Sequence, residues 1–306
     1  MNTNAVTVMI PAYHPGAEFE ILLKRLSGQT VIPEEILVIN TDQKGWNEKW
    51  EEEYPLLRVI HISKREFDHG ATRRRAAEEC RTEYMVFMTQ DAIPGDRHLL
   101  ENLLKALEQE KEIAAAYARQ LPRKDCNLLE RLTRVFNYPE KSHVRYEKDT
   151  AKYGIKTYFC SNVCAAYKKS VYEALGGFPE KAIFNEDMIY AGKLIQNRFG
   201  IAYAADAKVI HSHNYSGIQQ FHRNFDLGVS QAEHPEIFEA VPSESEGIRM
   251  VKKNAAQLIS EGHMLLLPKL VWISGWKFLG YRFGKGYKKL PKCLIRKMTM
   301  NPGYWS

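Results

Sequence analysis

Short apolar runs and amphipathic segments alternate along the first third of the chain. Four runs rich in β-branched and aromatic residues predict buried strands. They are VTVMI at 6–10, EEILVIN at 34–40, LRVIHI at 57–62 and YMVFMT at 84–89. Apolar residues recur at helical spacing over 18–26 and 98–107. Continuous apolar strands separated by helices predict a doubly wound α/β fold, in which a mostly parallel sheet carries helices on both faces.

The middle of the chain is less regular. The sequence predicts a strand at 157–167, a short helix at 168–175, and a second strand at 207–214 that ends in histidines. The run NED at 185–187 is typical of a helix start, and this helix is predicted to reach about Asn197.

Beyond residue 216 the sequence predicts helices to the end. Breaks are expected at Pro235, Pro242, Pro268 and Gly284–Gly286. We therefore divide the chain into an α/β domain over 1–215, with halves at 1–120 and 121–215, and a helical extension over 216–306.

Composition restricts the class of protein. With 306 residues, 44% of them hydrophobic, the chain can bury a sizeable core. No apolar run reaches the roughly 18 residues of a membrane-spanning helix. The first residues lack the basic region of a signal peptide. Five cysteines, with no second pair at zinc spacing, predict buried or half-buried free thiols. These features together predict a cytoplasmic protein.

The net charge of +6 is unevenly distributed. Residues 264–306, the basic tail, carry nine Lys or Arg and no Asp or Glu. Nine of 43 basic residues lie in the tail, which leaves 34 against 37 acidic residues elsewhere. The body is therefore near neutral and offers no extended basic face, so we predict no nucleic-acid partner.

Residues that could face a ligand follow the predicted strands at their carboxyl ends, where sheets of this kind bind ligands. These residues are Pro11, Ala12 and Tyr13 after the first strand, Asn40 and Asp42 after the second, and Gln90 and Asp91 after the fourth. A carboxylate such as Asp91 beside a buried strand needs a partner, and a divalent cation would supply one. The alternative is a helix cap, a role for which Asp96 is better placed.

Three further segments could carry chemistry. Glu186 and Asp187 open a predicted helix, where they could cap it or accept a proton from a hydroxyl group. His211 and His213 lie on one face of a predicted strand, either as half-buried histidines or as metal ligands beside Asp91. Arg73, in HGATR at a helix start, suits an anionic ligand such as a diphosphate.

With these pieces in order, the chain resembles the inverting family 2 glycosyltransferases of the GT-A fold, and among them the bacterial rhamnosyltransferases. The resemblance covers nearly the whole chain. It rests on VTVMIPAY, EEILVINTD, FDHGATRR, VFMTQDAIP, NED at 185–187, VIHSHNYS, QQFHRNFDLG and the basic tail. In this resemblance 1–120 is the nucleotide-binding half and 121–215 the acceptor half.

The resemblance implies roles for individual residues on the nucleotide side. Pro11, Ala12 and Tyr13 would line the base pocket. Asn40 stands where the family usually has an Asp that accepts from the base, and Asp42 is a nearby substitute. Arg73 would meet the diphosphate. Gln90-Asp91 replaces the family's pair of aspartates, with Asp91 as the metal-binding carboxylate.

The resemblance also implies a catalytic centre and its substrates. Asp187, with Glu186 beside it, matches the general base, and His211 or His213 would complete the metal site. Gln219, Gln220 and Arg223 resemble a looser Gln-x-x-Arg-Trp motif that lacks the Trp, and would support donor or acceptor. The implied cofactor is Mg²⁺ or Mn²⁺. The implied donor is dTDP-rhamnose, and the implied acceptor is a lipid-linked saccharide.

Some alternatives stay open from sequence alone. A UDP-sugar donor would keep the same mechanism, whereas a sugar nucleotidyltransferase or a non-catalytic binding module would not. In the basic tail, aromatic residues interleave with Lys277, Arg282 and Lys285, as in a helix that binds an anionic membrane surface. Alternatively, those aromatic residues pack on the domain. The tail also offers a surface for a homodimer. We expect a cytoplasmic protein, peripheral on the inner membrane face.

Overall fold

The computed structural model describes residues 5–305, and its nine strands form one mixed sheet. The strands are β1 Val6–Tyr13, β2 Glu35–Thr41, β3 Leu57–Ile62, β4 Tyr84–Met88, β5 Ile93–Pro94, β6 Ile113–Leu121, β7 His143–Arg145, β8 Cys164–Lys168 and β9 Gly200–Ile210. Their order is β3-β2-β1-β4-β8-β6-β9-β5, with β7 paired to β9. Neighbours in β3-β2-β1-β4 are parallel, as are β6 and β9, whereas β8 runs antiparallel to both of its neighbours. The α/β fold predicted from the sequence is confirmed, and β5, β7 and β8, which run antiparallel to their neighbours, make the sheet mixed.

Thirteen α-helices lie within the described residues. They are α1 Ala17–Ser27, α2 Lys49–Glu53, α3 His69–Glu79, α4 Leu99–Leu107, α5 Leu128–Asn137, α6 Thr150–Tyr153, α7 Lys169–Ala174, α8 Glu186–Gln196, α9 Gly217–Glu233, α10 Pro235–Phe238, α11 Glu244–Ser260, α12 Leu267–Lys285 and α13 Lys292–Met298. Short 3-10 turns occur at Gln43–Gly45, Glu147–Asp149, Gly154–Tyr158, Met264–Leu266, Tyr287–Lys289 and Pro302–Trp305. None of the described helices has both the length and the apolarity that crossing a bilayer requires.

The core lies on both faces of the sheet. Val8 and Met9 are both fully buried, yet they belong to different hydrophobic clusters, because successive side chains of a strand point to opposite faces. One cluster packs α1 and α4 on the sheet, and the other packs α3 and α8. Burial on both faces explains why these strands are continuous apolar runs. Cys80, Cys126, Cys160 and Cys164 are buried free thiols, as predicted, whereas Cys293 is exposed.

Three strands differ from the sequence prediction. IAAAYARQL over β6 carries no strong strand signal because alanine favours helices, but the small side chains fit a strand between β8 and β9. The strand predicted at 157–167 is wrong in its first half, because the chain forms 3-10 and turn structure before β8 begins at Cys164. The strand predicted at 207–214 ends at Ile210, so the two histidines lie in the following loop.

The extension is helical, as predicted, but Gly284 does not break a helix. Gly284 lies inside α12, where an added Cβ would sit 2.1 Å from the backbone oxygen of Phe225 in α9. Gly280 approaches the backbone oxygen of Phe221 as closely, at 2.2 Å for its Cβ. These glycines let α9 and α12 pack backbone against backbone. The break comes at Gly286, directly after α12.

Candidate active site

A cleft of about 460 Å³ lies at the edge of the sheet, where loops after the strands meet the extension. Its wall includes Asp91 after β4, the two histidines after β9 and the start of α8. Residues of α9 and α12 close the other side. The α/β domain and the extension therefore both contribute to this cleft.

Asp91, His211 and His213 come together in the cleft. The Nε2 atoms of His211 and His213 lie 3.4 and 3.2 Å from Asp91 Oδ2, and 3.1 Å from each other. Burial alone would raise the pKa of Asp91. Hydrogen bonds from the two histidines lower it by more than burial raises it, so the pKa lies well below its usual range. The carboxylate is therefore ionised at neutral pH, as a metal ligand must be.

The Asp91 and His211 loops are fixed by a second set of contacts. Arg123 donates to the backbone oxygen of Asp91 at 3.1 Å, and its own backbone N–H donates to Ser212 Oγ at 3.0 Å. Glu18 holds the Arg123 guanidinium with both carboxylate oxygens. Gln120 Oε1 lies 3.2 Å from Nδ1 of His211 and so orients its ring. The three donor atoms are thus held in place before any ligand binds.

These donors fit a divalent cation. Neighbouring ligands around an octahedral ion at about 2.1 Å are about 3 Å apart, which is close to the separations of the three donor atoms. One carboxylate and two imidazoles form a mixed oxygen and nitrogen set, and such a set binds first-row divalent ions. Within residues 5–305 it is also the one group of three or more such side chains close enough to share an ion.

Asp187 sits at the start of α8, in the same cleft. Its carboxylate accepts from the backbone N–H groups of Asn162 at 2.9 Å and Met188 at 2.8 Å. Burial and the negative charge of Glu186 raise the pKa of Asp187 to about 7. A carboxylate with a pKa near 7 is suited to taking a proton from a hydroxyl group at neutral pH.

Glu186 is buried and faces Arg73 rather than open space. Its Oε1 lies 3.2 Å from Arg73 Nε and accepts from Asn162 Nδ2 at 3.0 Å. Burial raises the pKa of Glu186, but the charges of Arg73 and His69 outweigh this, and the pKa lies below its usual value. Arg73 therefore lies against Glu186 in the cleft wall. This contact keeps the Glu186 carboxylate ionised beside Asp187.

The residues predicted to hold a nucleotide lie at the neighbouring strand ends. Gln90 clamps the backbone of Tyr13, accepting from its N–H at 2.7 Å and donating to its oxygen at 3.1 Å. The Tyr13 ring is half exposed and stacks on His14. His14 and Lys64 each lie 3.1 Å from Asp42 Oδ2 and lower the pKa of Asp42 to about 2.

Asn40 is fully buried at the end of β2, between Ala12 of β1 and His61 of β3. Its side-chain nitrogen lies 3.0 Å from His61 Nδ1, whereas its side-chain oxygen has no hydrogen-bond partner. A buried oxygen without a partner is costly and is ready to accept from a ligand. Pro11 and Ala12 lie beside this position on β1.

Backbone strain is concentrated around these ligand-facing loops. Four non-glycine residues of the described chain have a left-handed φ: His14, Asp42, Asn185 and Arg198. The first two follow β1 and β2, and Asn185 directly precedes Glu186 and Asp187. Strained residues cluster at binding and catalytic sites because the surrounding structure must hold them in place.

The three predicted extension residues differ in placement. Gln219 lies outside the cleft lining, and its side chain accepts from the Ser216 N–H as part of a helix cap. Gln220 is buried in the cleft wall. Arg223 also lines the cleft and lies over the rings of Phe184 and Tyr215, with 4.6 and 5.8 Å to the ring centres.

Sequence reasoning missed Lys277 and Tyr215 as cleft residues. Tyr215 stacks on His213, with 5.0 Å between the ring centres. Lys277 reaches the cleft from α12. Nothing in the sequence separates Lys277 from the other eight cations of the basic tail, because only the pairing of α12 with α9 decides which of them faces inward.

Comparison with known proteins gives consistent results. Residues 7–176 match the model of glycosyl transferase family 2. The O-antigen chain rhamnosyltransferase RfbN of Salmonella typhimurium is 38% identical over 303 residues, covering 98% of this chain and 96% of its own. The O-antigen chain rhamnosyltransferase WbaN of Salmonella anatum is 38% identical over 305 residues, covering 98% and 95%.

Solved structures share the fold. The mannosyltransferase PcManGT from Pyrobaculum calidifontis, in complex with GDP-Man and Mn²⁺, superposes with a TM-score of 0.60 at 18% identity, covering 93% of this chain and 88% of its own. S. aureus TarS 1–349 in complex with UDP-GlcNAc gives 0.54 at 14% identity, covering 93% and 92%. These likenesses confirm the predicted GT-A fold.

Proposed function

This chain belongs to glycosyltransferase family 2, and on that premise we propose that it transfers L-rhamnose from dTDP-β-L-rhamnose to a lipid-linked precursor of a cell-surface polysaccharide, with inversion at the anomeric carbon. The family membership and the two O-antigen rhamnosyltransferase relatives bear out the predicted resemblance. Those relatives are similar over nearly their whole length, which supports rhamnose as the transferred sugar.

One observation carries the proposal. Within a single cleft, the group of Asp91, His211 and His213 lies together with Asp187, a carboxylate whose pKa is raised toward neutrality. A sugar transferase needs both of these parts, namely a site for the charge of the leaving nucleotide and a base for the acceptor hydroxyl.

Asp187 acts as the base in this mechanism. It takes the proton from the acceptor hydroxyl while the hydroxyl oxygen attacks the anomeric carbon, and the bond to the nucleoside diphosphate breaks. Because one displacement occurs on the face opposite the leaving group, the anomeric configuration inverts. Asp91, His211 and His213 would hold Mg²⁺ or Mn²⁺, which when bound supplies positive charge toward the departing diphosphate. Glu186, paired with Arg73, stays negatively charged, and this negative charge raises the pKa of Asp187.

The base pocket would lie at the ends of β1 and β2. The unpartnered oxygen of Asn40 supports its role in accepting from the base, in place of the family's Asp. Tyr13 offers an exposed ring for stacking. Asp42, already bound by His14 and Lys64, would shape the pocket edge rather than meet the base.

The outer face of α12 would contact the anionic inner surface of the cell membrane, where a lipid-linked acceptor resides. Trp272 and Phe278 are 63% and 57% exposed, while Trp276 packs against Phe221 and Gly217 of α9. The two interpretations of the basic tail are therefore compatible, because some of its aromatic residues pack inward and others face outward. Exposed aromatic residues among lysines suit an anionic lipid interface.

The test is calorimetric titration of the full chain with dTDP-rhamnose, dTDP, UDP and GDP, each with Mn²⁺, with Mg²⁺ and without metal. We expect metal-dependent binding that prefers dTDP-rhamnose, and loss of the metal dependence in Asp91→Asn. The matched control is Asp206→Asn, at an exposed position on β9. Preference for a UDP-sugar would overturn the donor and keep the mechanism. The absence of metal-dependent binding to any nucleotide would overturn the metal site.

A further inference from the structure

Two cations in the cleft have no carboxylate partner among residues 5–305. The other two arginines of the cleft are paired, Arg73 with Glu186 and Arg134 with Glu130. Arg223 makes only ring contacts, and Lys277 makes no hydrogen bond, ion pair or ring contact in the described part of the chain. Both of these free cations come from the extension, one from α9 and the other from α12.

The helix pairing fixes where Lys277 points. It lies one turn before Gly280, whose missing Cβ allows α12 to touch the backbone of Phe221 in α9. Lys277 borders both the main cleft and an adjoining groove, and His213, Tyr215 and Gln220 line both as well. Lys277 therefore lines the cleft that also holds the candidate metal ligands, and its side chain is half-buried.

The charges around Lys277 favour the binding of an anion. Burial and the nearby charges of Arg223 and Arg134 lower the pKa of Lys277, and only Glu130 opposes them. Lys277 is half-buried, and a cation held in this way among like charges is unfavourable unless a negative group binds beside it. A ligand with two phosphate groups would satisfy both cations, because guanidinium binds phosphate oxygens in a fork and ammonium binds them as a point charge.

We propose that Lys277, together with Arg223, binds a diphosphate group in the cleft, so that the extension forms part of the substrate site. The inference rests on the proposed transferase function, which brings a diphosphate to this place. The diphosphate belongs either to the nucleotide-sugar donor or to a phosphate-linked lipid acceptor. Lys277 sits on the same helix as the exposed Trp272 and Phe278, so phosphate binding and membrane contact share one rigid element.

The first arm of the test measures the donor. Lys277→Gln, in the full chain, is titrated with dTDP, UDP and GDP in the presence of Mn²⁺. If the donor's diphosphate is bound here, the affinity for whichever nucleotide the wild type prefers falls about tenfold or more. Lys277→Arg recovers part of the loss. The control is Lys269→Gln, at an exposed position on the same helix, which leaves the affinity unchanged.

The second arm measures the acceptor. If dTDP affinity is unchanged but the acceptor KM rises about tenfold with kcat retained, the bound diphosphate is the acceptor's. If neither quantity changes, the proposal is overturned. A purely structural lysine would show itself differently, because its loss would lower the melting temperature. Here the melting temperature without ligand stays the same or rises, since a half-buried charge without an acidic partner is removed. Failure of the proposed donor is a separate result, because it appears already in the wild type as preference for another nucleotide.

Discussion

The two sides of the cleft are built in different ways. On the sheet side, each reactive group is already engaged: Asp91 with two histidines, Asp187 with two backbone N–H groups, and Glu186 with Arg73. On the helical side, Arg223 and Lys277 are cations without acidic partners in the described chain. The sheet side is thus organised before substrate binds, whereas the helical side is completed by a negatively charged ligand.

This difference separates the groups that carry out the reaction from the groups that bind the substrate. Preorganised groups lower a reaction barrier because they need no rearrangement in the transition state. Unpaired cations instead contribute to binding, because the ligand relieves their mutual repulsion. We therefore expect substitutions on the sheet side to reduce kcat, and those on the helical side to weaken affinity or stability.

The largest expected effect is on the sheet side. Asp187→Asn removes the base and should lower kcat by about 10²- to 10⁴-fold while nucleotide affinity is kept. Transfer assays and titration with dTDP measure the two quantities. The exposed Asp206→Asn serves as control. A variant that transfers sugar at the wild-type rate would show that another group is the base.

The helical side is most sensitive where α9 and α12 touch. Gly280→Ala places a Cβ 2.2 Å from the Phe221 oxygen and should lower the free energy of unfolding by about 1–3 kcal/mol. Gly275→Ala, in the same helix with nothing within 4 Å, should be neutral or stabilising by up to about 1 kcal/mol. Urea unfolding measures both. Equal effects of the two variants would mean that the close helix contact does not contribute to stability.

The pH dependence of kcat sharpens the comparison. Because the pKa of Asp187 is raised to about 7, kcat should fall about tenfold per pH unit below that value, as the base becomes protonated. Glu186→Gln removes a negative neighbour, so the fall should begin at lower pH. Glu180→Gln, at an exposed position before the helix, should leave the profile in place. An unshifted profile in Glu186→Gln would mean that the Glu186 charge does not set this pKa.

The smallest expected effect concerns the outer face of α12. Trp272→Ser with Phe278→Ser should weaken binding to vesicles containing anionic lipid by several fold, and leave nucleotide affinity intact. Ile21→Ser, which alters an exposed apolar residue on α1, is the matched control. Vesicle sedimentation measures the binding. If the double variant sediments like the wild type, the membrane contact lies elsewhere.

Much of the fold followed from the sequence pattern. Runs such as VTVMI and YMVFM predicted their strands because burial on both faces leaves no polar alternation in the sequence. β6 was missed because its alanines carry no strand preference of their own and become a strand only between two neighbours. The cysteine spacing predicted free thiols, and four of the five cysteines are buried free thiols, whereas Cys293 is exposed.

The candidate site was predictable where it lies at strand ends. Asn40 lies at the carboxyl end of β2 and Asp91 follows β4, and both strands pair in parallel with β1, so the two residues lie at the same edge of the sheet. Glu186 and Arg73 both line the cleft, and the sequence alone could not show that tertiary packing also pairs them with each other. Gln219, one position before the buried Gln220, is used for capping instead, because a shift of one residue on a helix turns a side chain by about 100°.

By itself, the sequence determined the strands β1 to β4, the carboxyl ends at which polar groups would gather, and the basic character of the tail. These are local properties of hydrophobic period and charge. Only the tertiary structure decided that His211 and His213 would reach Asp91, that Glu186 would neutralise Arg73, and that one lysine of nine would face the cleft. The reason is physical, because the position of Lys277 depends on a glycine contact between two helices and not on its own neighbours in the chain.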